Sequence, residues 1–406
     1  MSSDHEALWT EVLADLAKEG LRRELPSPSF HPAGTAATGP LVLCSNDYLA
    51  LSCDPRLREA AIRAFEEAGC GSTGSRLLSG NTRFHTELEE ELAEFSGHEA
   101  CLLFNSGYHA NIGAIPAVAT RVDAIFSDEL NHASIIDGCR LSRAETITYR
   151  HCDLEHLSSL LKRAGAMRRK LIITEGVFSM DGHVAPLGDL AKLARAHGAL
   201  LMLDDAHGFG VLGEDGKGTA QEKGVAGGVD IYMGTLGKAI GGMGGFVGGS
   251  RALIDYLIST ARALLYSTAL PPSICAAATQ ALKIVRSEPW RRQRLRWLSE
   301  TLRRDLEERG LDIGGSTSHI VPVMAGSGHS ASELARRLQG KGYLTRAIRF
   351  PTVPRGFERI RLSLRSDFTE ESLRGFAEVL GEEAGHLGLR AANSAASGGN
   401  RHDAKA

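Results

Sequence analysis

In LMLDDAHGFGVLG an apolar run ends abruptly in Asp204, Asp205, Ala206 and His207. Ligands sit at the carboxyl ends of strands in open α/β sheets. An aspartate and a histidine three residues apart at such an end can both reach one planar ligand, although a turn capped by Asp204 would read the same. IYMGTLGKAIGGMGG places Lys238 after another apolar run, inside a glycine-rich turn, with Thr235 three residues before it. Glycines let backbone approach a ligand closely and adopt positive φ. A hydroxyl and an amine so spaced could bind a phosphate and meet a carbonyl. The spacing of a nucleotide phosphate loop is absent, because Ala239 follows Lys238. No strand–glycine–helix dinucleotide fingerprint opens the wound region either. In ACLLFNSGYHANIGAI a strand runs into Asn105, Ser106, Gly107 and Tyr108 before a helix begins. N–H groups at such a helix start bind phosphate well, but an ordinary strand–helix connection looks alike. His132, in IFSDELNHASIIDGCR, follows a strand end in a polar turn, where a lone histidine is more often a cap or a core residue.

These residues need strands to aim them. After a short strand at LVLCS, apolar runs at ACLLFN, DAIFSD, ETITYR, KLIITEG, LLMLDD, IYMGTL and GGFVGG alternate with helical segments such as DLEHLSSLLKRA and LGDLAKLARAHG. That order predicts an α/β domain, with a mostly parallel seven-stranded sheet covered by helices on both faces. Residues 5–24 have helical spacing in Leu8, Leu13, Leu16 and Leu21, and PSPSFHPAGTAATGP reads as a loop. Near residue 273 the pattern changes to a long helical region through 310, whose RRDLEERG run reads as a solvated face. Short strands (HIVPVM, RIRLSL) and two helices follow, predicting a smaller α+β C-terminal domain. The expected organisation is an N-terminal segment over 1–50, a large domain over 51–272, a small domain over 273–390 and a disordered tail over 391–406.

The 406 residues carry 43% apolar and 23% charged side chains with a formal net charge of −3, ordinary for a soluble globular chain. Nothing suggests a nucleic-acid partner, which needs concentrated basic surface. Seven scattered cysteines without a CxxC pair argue against a disulfide framework or structural zinc, and no metal is expected. The acidic, amphipathic N-terminus has no signal-peptide pattern and no run approaches a membrane span, so a cytoplasmic, membrane-free protein is expected.

Taken together, SNDYLALS (45–52), GSTGSRLLSGNTRFHTELEEELAEF (71–95), FNSGYHAN (104–111), DELNHASIIDG (128–138), TEGVFSMDG (174–182), DDAHGFGVLG (204–213), GTLGKAIGG (234–242), YSTALPP (266–272) and AIRFPTVPRG (347–356) resemble the α-oxoamine synthase family of pyridoxal-phosphate (PLP) enzymes, within fold type I. They stand in the family's order over nearly the whole chain. The last two look most like the members that join L-alanine to a pimeloyl thioester.

The resemblance implies that Lys238 carries the PLP as a Schiff base and later moves the α-proton of the amino acid. It implies that Asp204 pairs with the protonated ring nitrogen, which keeps the cofactor an electron sink. His207 is expected at the ring hydroxyl. His132 is expected against the ring face, where it helps hold the acyl substrate and polarises its carbonyl. Gly107 and Tyr108 would offer backbone groups to the phosphate, and Ser179 and Thr235 would contact cofactor oxygens. Thr268 would reach the phosphate from the partner subunit of a homodimer with shared active sites. Asn46 belongs to a segment that approaches the site. Arg361 matches the arginine that grips the amino-acid carboxylate, with an exposed strand arginine as the alternative. Arg22 and Thr352 match positions that contact the thioester. The implied reaction joins L-alanine to pimeloyl-CoA, or to a pimeloyl-carrier protein, with loss of thiol and CO2. Glycine with acetyl-CoA or succinyl-CoA, or serine with a long acyl-CoA, are the substrate pairs of other members. Retention of Lys238, Asp204, His207 and His132 argues against a non-catalytic scaffold. The chain departs from the family pattern in the short Pro/Ala/Thr loop before SNDYL and at Phe350 before Pro351, which lies toward the acyl pocket.

Overall fold

The computed structural model describes residues 2–23, 25, 39–165 and 169–389. They form two compact units. The larger holds 46–298 with 365–367, and the smaller holds the described residues of 1–45, 299–364 and 368–406. The smaller unit begins the chain with a helix, Ser2–Lys18, and a two-residue strand, β1 (Leu41–Val42). That helix ends six residues earlier than its leucine spacing suggests, where Gly20 takes a positive φ of 69°.

The larger unit is built on seven strands: β2 (Ala100–Phe104), β3 (Ala124–Asp128), β4 (Glu145–Tyr149), β5 (Lys170–Glu175), β6 (Leu200–Asp204), β7 (Ile231–Thr235) and β8 (Gly245–Gly249). Their order in the sheet is β2-β8-β7-β6-β5-β3-β4. All neighbours are parallel except at β8, which runs against both β7 and β2. The chemistry of the connection explains the exception. A parallel return needs a crossover of about a dozen residues or more. Only residues 236–244 join β7 to β8, so the chain must turn back, and Lys238 lies on that turn. The inner strands are buried almost throughout, as sheets covered on both faces require, whereas the edge strand β4 exposes three of its five residues. A core of Leu102, Ile115, Ile173, Met202, Met233 and Val247 joins sheet to helices.

Helix Pro272–Ser287 stays with the larger unit, so the division falls near 298 instead of the 272 that the sequence pattern suggests. Its Cys275, Ala278, Ala281, Leu282 and Val285 are buried, and it packs on helices Pro55–Ala68 and Arg83–Ser96. The long helical region after 273 is two helices, because Pro289 interrupts it before Trp290–Glu308. The N-terminal boundary falls at 45/46, not at 50.

The smaller unit adds β9 (Ile320–Met324), β10 (Tyr343–Leu344), β11 (Ala347–Ile348) and β12 (Arg359–Ser363), with helices Gly328–Gly340 and Glu370–His386. β1 pairs in parallel with β10, and β11-β12-β9 form an antiparallel sheet. Leu334, Leu338, Ile360, Leu362, Phe376 and Leu380 fill its core. The tail assigned to 391–406 lies outside the described residues.

Candidate active site

The parallel strands deliver their carboxyl ends to one edge of the sheet. Glu175, Asp204 and Thr235 end β5, β6 and β7 there, and the Phe104 end of β2 leads directly into Ser106 and Gly107. Strand alternation then separates the two aspartates of DDAH. Asp205 is fully buried and turns into the protein, where it accepts from Thr219 N (2.7 Å), Thr219 Oγ1 (2.6 Å) and Tyr232 Oη (3.1 Å). Three glycines make room for it: a Cβ on Gly176, Gly208 or Gly218 would stand 1.9–2.4 Å from a carboxylate oxygen. Burial pushes Asp205 up to about 6 even against those three hydrogen bonds.

Asp204 faces the site. It is 4% exposed, and its Oδ2 accepts from Asn111 Nδ2 at 2.7 Å while Oδ1 accepts from Ala206 N at 3.1 Å. Asn111 also donates to Ser134 Oγ at 2.9 Å, and that oxygen lies 2.7 Å from His132 Nδ1. Asp204 and His132 are therefore joined through two buried side chains. Ser134 N donates to the same His132 Nδ1 at 3.2 Å, which marks Nδ1 as the acceptor and leaves the proton on Nε2. Burial lowers His132, as does the charge of Lys238, against an opposite pull from Asp204; the ring is neutral near pH 7.

Lys238 Nζ stands 2.7 Å from His207 Nε2, and His207 Nδ1 is 2.6 Å from Tyr48 Oη. Tyr48 gives its only proton to Asn46 Oδ1 at 3.0 Å. It must then accept from His207 Nδ1–H, so His207 Nε2 is unprotonated and accepts from the lysine. Asn46 thus enters the site as the far end of a relay.

Gly107 opens helix Gly107–Val118, with Ser106 Oγ capping His109 N at 3.1 Å. A Cβ on Gly245 would meet Gly107 N at 2.5 Å, so only glycine leaves this helix start open beside Thr235. Thr235 Oγ1 donates to Gly244 O and accepts from Gly237 N, which holds the Lys238 turn. Tyr108 sets its ring edge-on to His132, 6.4 Å between centroids, and its hydroxyl bonds Asp137. Ser179 is 8% exposed, and its N–H donates to Glu175 Oε2 at 3.2 Å. Thr268 bridges Ser75, and its carbonyl accepts from Asn105 Nδ2 at 2.8 Å.

In the smaller unit Arg361 lies on β12 and is 8% exposed, and Arg359 on the same strand is 3% exposed, so Arg361 is not an exposed strand arginine. Its Nη1 donates to Ser363 Oγ at 2.8 Å. Arg22 and Thr352 line one cleft of this unit, and Thr352 Oγ1 accepts from the adjacent Arg23 rather than from Arg22. The Phe350–Pro351 bond is cis, with the Arg355 guanidinium 4.6 Å from the Phe350 ring centroid.

Four site residues escaped the motif reading: Tyr48, Asn111, Ser134 and Glu175. Each lies inside a matched segment, and Asn111 follows Gly107 by one helical turn. Glu175 is the neighbour of Asp204 in the β5–β6 register. Burial first, and the charge of Asp204 second, push it well above the usual carboxylate range.

The site fits PLP on its own geometry. Asp204 is a buried carboxylate with only neutral donors as hydrogen-bond partners, a position that a protonated ring nitrogen would complete. An open helix start and an amine complete the set. The chain belongs to the aminotransferase class I and II family, whose model matches residues 38–380. Within it, the chain is 48% identical over 377 residues to the 8-amino-7-oxononanoate synthase of Anaeromyxobacter dehalogenans (strain 2CP-1 / ATCC BAA-258), covering 91% of this chain and 93% of that one. It superposes on 8-amino-7-oxononanoate synthase from Francisella tularensis with a TM-score of 0.75 and 30% identity, over 86% of this chain and 98% of that one. It also superposes on serine palmitoyltransferase from S. paucimobilis, solved with bound PLP-myriocin aldimine, with a TM-score of 0.89 and 28% identity over 95% and 99%.

Proposed function

We propose that this enzyme condenses L-alanine with a pimeloyl thioester to give 8-amino-7-oxononanoate, CO2 and free thiol, a step of biotin synthesis, and that the residues assembled around Lys238 perform it. The observation that carries the reading is the pair of relays: Lys238–His207–Tyr48–Asn46 on one side, Asp204–Asn111–Ser134–His132 on the other.

PLP bound here supplies an electron sink for the α-carbon of the amino acid. Lys238 holds the cofactor and moves the α-proton at Nζ, while His207 Nε2 orients that amine. Asp204 keeps a proton on the ring nitrogen, because an uncompensated buried carboxylate favours the nearby positive charge. Gly107, Tyr108, Ser179 and Thr235 bind the phosphate and ring oxygens. His132 Nε2–H is free to donate to the thioester carbonyl as charge develops on its oxygen. The α-carbon forms a bond to that carbonyl carbon, the thiolate leaves, the carboxylate departs as CO2, and Lys238 Nζ returns a proton to the α-carbon. Arg361 holds the amino-acid carboxylate, and Arg22 and Thr352 contact the acyl donor. In this reading the enzyme is a cytoplasmic homodimer in which Thr268 serves the partner's phosphate. No helix of the described residues is long and apolar enough to cross a membrane.

The test is a substrate panel with PLP-loaded protein. L-alanine with pimeloyl-CoA or a pimeloyl-carrier protein is expected to release thiol and CO2 in equal amounts. Turnover with another amino acid and acyl-CoA, and none with this pair, would sink the assignment.

A further inference from the structure

Three turns of the larger unit bring Asp128, His151, Cys152 and His183 together, and none of the four belongs to the two relays. Asp128 ends β3, His151 and Cys152 form the tip of the turn closed by Arg150 O and Asp153 N, and His183 lies on the hairpin bridged by Val177 and Val184. Asp128 is 2% exposed and orients the others. Its Oδ1 lies 3.0 Å from His151 Nδ1 and accepts from Leu130 N at 2.9 Å, and its Oδ2 accepts from Cys152 N at 2.9 Å. A buried carboxylate so placed keeps a proton on His151 Nδ1, and in the neutral ring Nε2 then presents a lone pair. That nitrogen stands 2.9 Å from His183 Nδ1, with the two rings inclined by 21°. Two imidazole nitrogens so close share either one proton or one cation.

A thiol stands beside the same pair. Neighbouring side chains usually diverge, but Cys152 takes a positive φ of 54°, which folds its side chain onto the His151 ring. Its Sγ lies 3.6 Å from His151 Nε2 and 3.7 Å from Nδ1. Tetrahedral zinc, with bonds of about 2.1 Å to nitrogen and about 2.3 Å to sulfur, sets nitrogen and sulfur about 3.6 Å apart and two nitrogens about 3.4 Å apart. The sulfur is therefore at the right separation from Nε2, and the imidazoles part by about 0.5 Å when the ion enters. Phe178 packs edge-on against His151, 4.4 Å between centroids, and shields one side of the set. His151, Cys152 and His183 are each half-buried, which leaves the ion a way in. One thiolate and two imidazoles suit a borderline-soft ion; magnesium and calcium take oxygen ligands instead. Ligand spacing along the chain does not reveal the set, because its residues come from three separate segments.

We propose that Cys152 Sγ, His151 Nε2 and His183 Nδ1 bind Zn²⁺, with Asp128 holding His151 from behind and solvent in the fourth position. Binding displaces the thiol proton and the proton between the imidazoles. The ion ties the turn that leads from β3 toward His132 to the hairpin that carries Ser179, so it clamps two loops of the candidate active site.

The experiment uses PLP-loaded full-length protein, stripped of metal with a chelator and titrated with zinc chloride in a calorimeter. One ion per chain is expected, with a Kd of about 10 μM or tighter. Cys152→Ser and His183→Ala, both on half-buried turns, should each weaken that binding by about a hundredfold. The ion should raise the thermal midpoint of the parent by a few degrees and leave both variants unmoved. Cobalt(II) supplies the spectroscopic signature. A thiolate-to-cobalt charge-transfer band, read as a difference from the cobalt-free protein, should appear in the parent and be missing in Cys152→Ser. The visible absorbance of bound PLP shows that each variant is folded. Weaker zinc binding by the parent, or binding that either variant retains unchanged, would overturn the site.

Discussion

The amine of Lys238 accompanies His207 at 2.7 Å, and His207 is in turn fixed by Tyr48 at 2.6 Å. The lysine is therefore aimed by a chain of three side chains from two segments, 46–48 and 207, that are far apart in sequence. Tyr48→Phe removes the acceptor for His207 Nδ1–H and leaves a buried donor unmade, at about 1–3 kcal/mol. The expected result is a fall in kcat of about tenfold or more, with a shifted pH–rate profile and little change in KM for L-alanine. Lys238→Ala should lose the visible absorbance of the lysine-bound cofactor and at least about 10²–10⁴ in turnover.

Much of this arrangement was legible in the sequence because it depends on strand ends. The apolar runs before Asp204, Lys238, Gly107 and His132 all mark strands that end at the same edge. Residues that act through tertiary neighbours left weaker marks. Glu175 closes an ordinary apolar strand, and only the β5–β6 register makes it a neighbour of Asp204. Asn111 sits mid-helix, where its type alone says little. The division falls near 298 and not 272 for a related reason: the small buried face of helix Pro272–Ser287 packs on helices Pro55–Ala68 and Arg83–Ser96, far earlier in the chain, which periodicity does not reveal.

Glu175 should be protonated at neutral pH, because burial and the adjacent Asp204 raise it well above its ordinary 4.5. For a carboxyl group raised in the folded state, stability is fully present below the unfolded value and declines as pH rises toward the folded one. Glu175→Gln mimics the protonated form. Its thermal midpoint is expected to depend less on pH above about 4.5 than that of the parent, with near-parental stability at acid pH. A parallel decline in both proteins would contradict the assignment.

His151 carries the opposite kind of charge. Burial alone would lower it, but hydrogen bonds and charges from Asp128 (3.0 Å) and Cys152 push it up to about 10. Its second nitrogen lies 2.9 Å from His183 Nδ1, so the protonated ring can serve both neighbours. A histidine raised in the fold contributes stability that is complete below about 6.5 and is lost as pH rises through about 10. Melting curves between those limits should slope downward in the parent and be flatter in His151→Gln.

Asp205 and Gly208 are coupled through contact. A Cβ at Gly208 would stand 2.0 Å from Asp205 Oδ1 and 2.5 Å from Thr219 Oγ1. Gly208→Ala should destabilise by about 1–3 kcal/mol through overpacking. Asp205→Ala leaves Thr219 N–H and Tyr232 O–H without their acceptor, which costs a similar amount. The double variant should lose less than the sum, because one of the two clashing atoms has gone. A double-mutant cycle by denaturant titration measures that coupling, and strict additivity would exclude it.

Arg361 offers the sharpest separation of binding from chemistry. Its backbone is fixed on β12 opposite Pro322, and Ser363 Oγ, two residues on along the same face of the strand, takes one of its N–H groups at 2.8 Å. A lysine at this position keeps the charge but loses the paired donors, so Arg361→Lys should raise KM for L-alanine by about tenfold. Arg361→Ala should raise it further, toward about a hundredfold, and leave a cavity in a buried site. Ser363→Ala keeps the arginine but frees its fork, and a few-fold increase is expected. If the arginine grips the substrate in ground and transition states alike, kcat changes little along this series while KM moves. The visible absorbance of bound PLP in each variant reports whether the cofactor site survived. Unchanged KM for L-alanine in both arginine variants, with that absorbance intact, would place the carboxylate grip elsewhere.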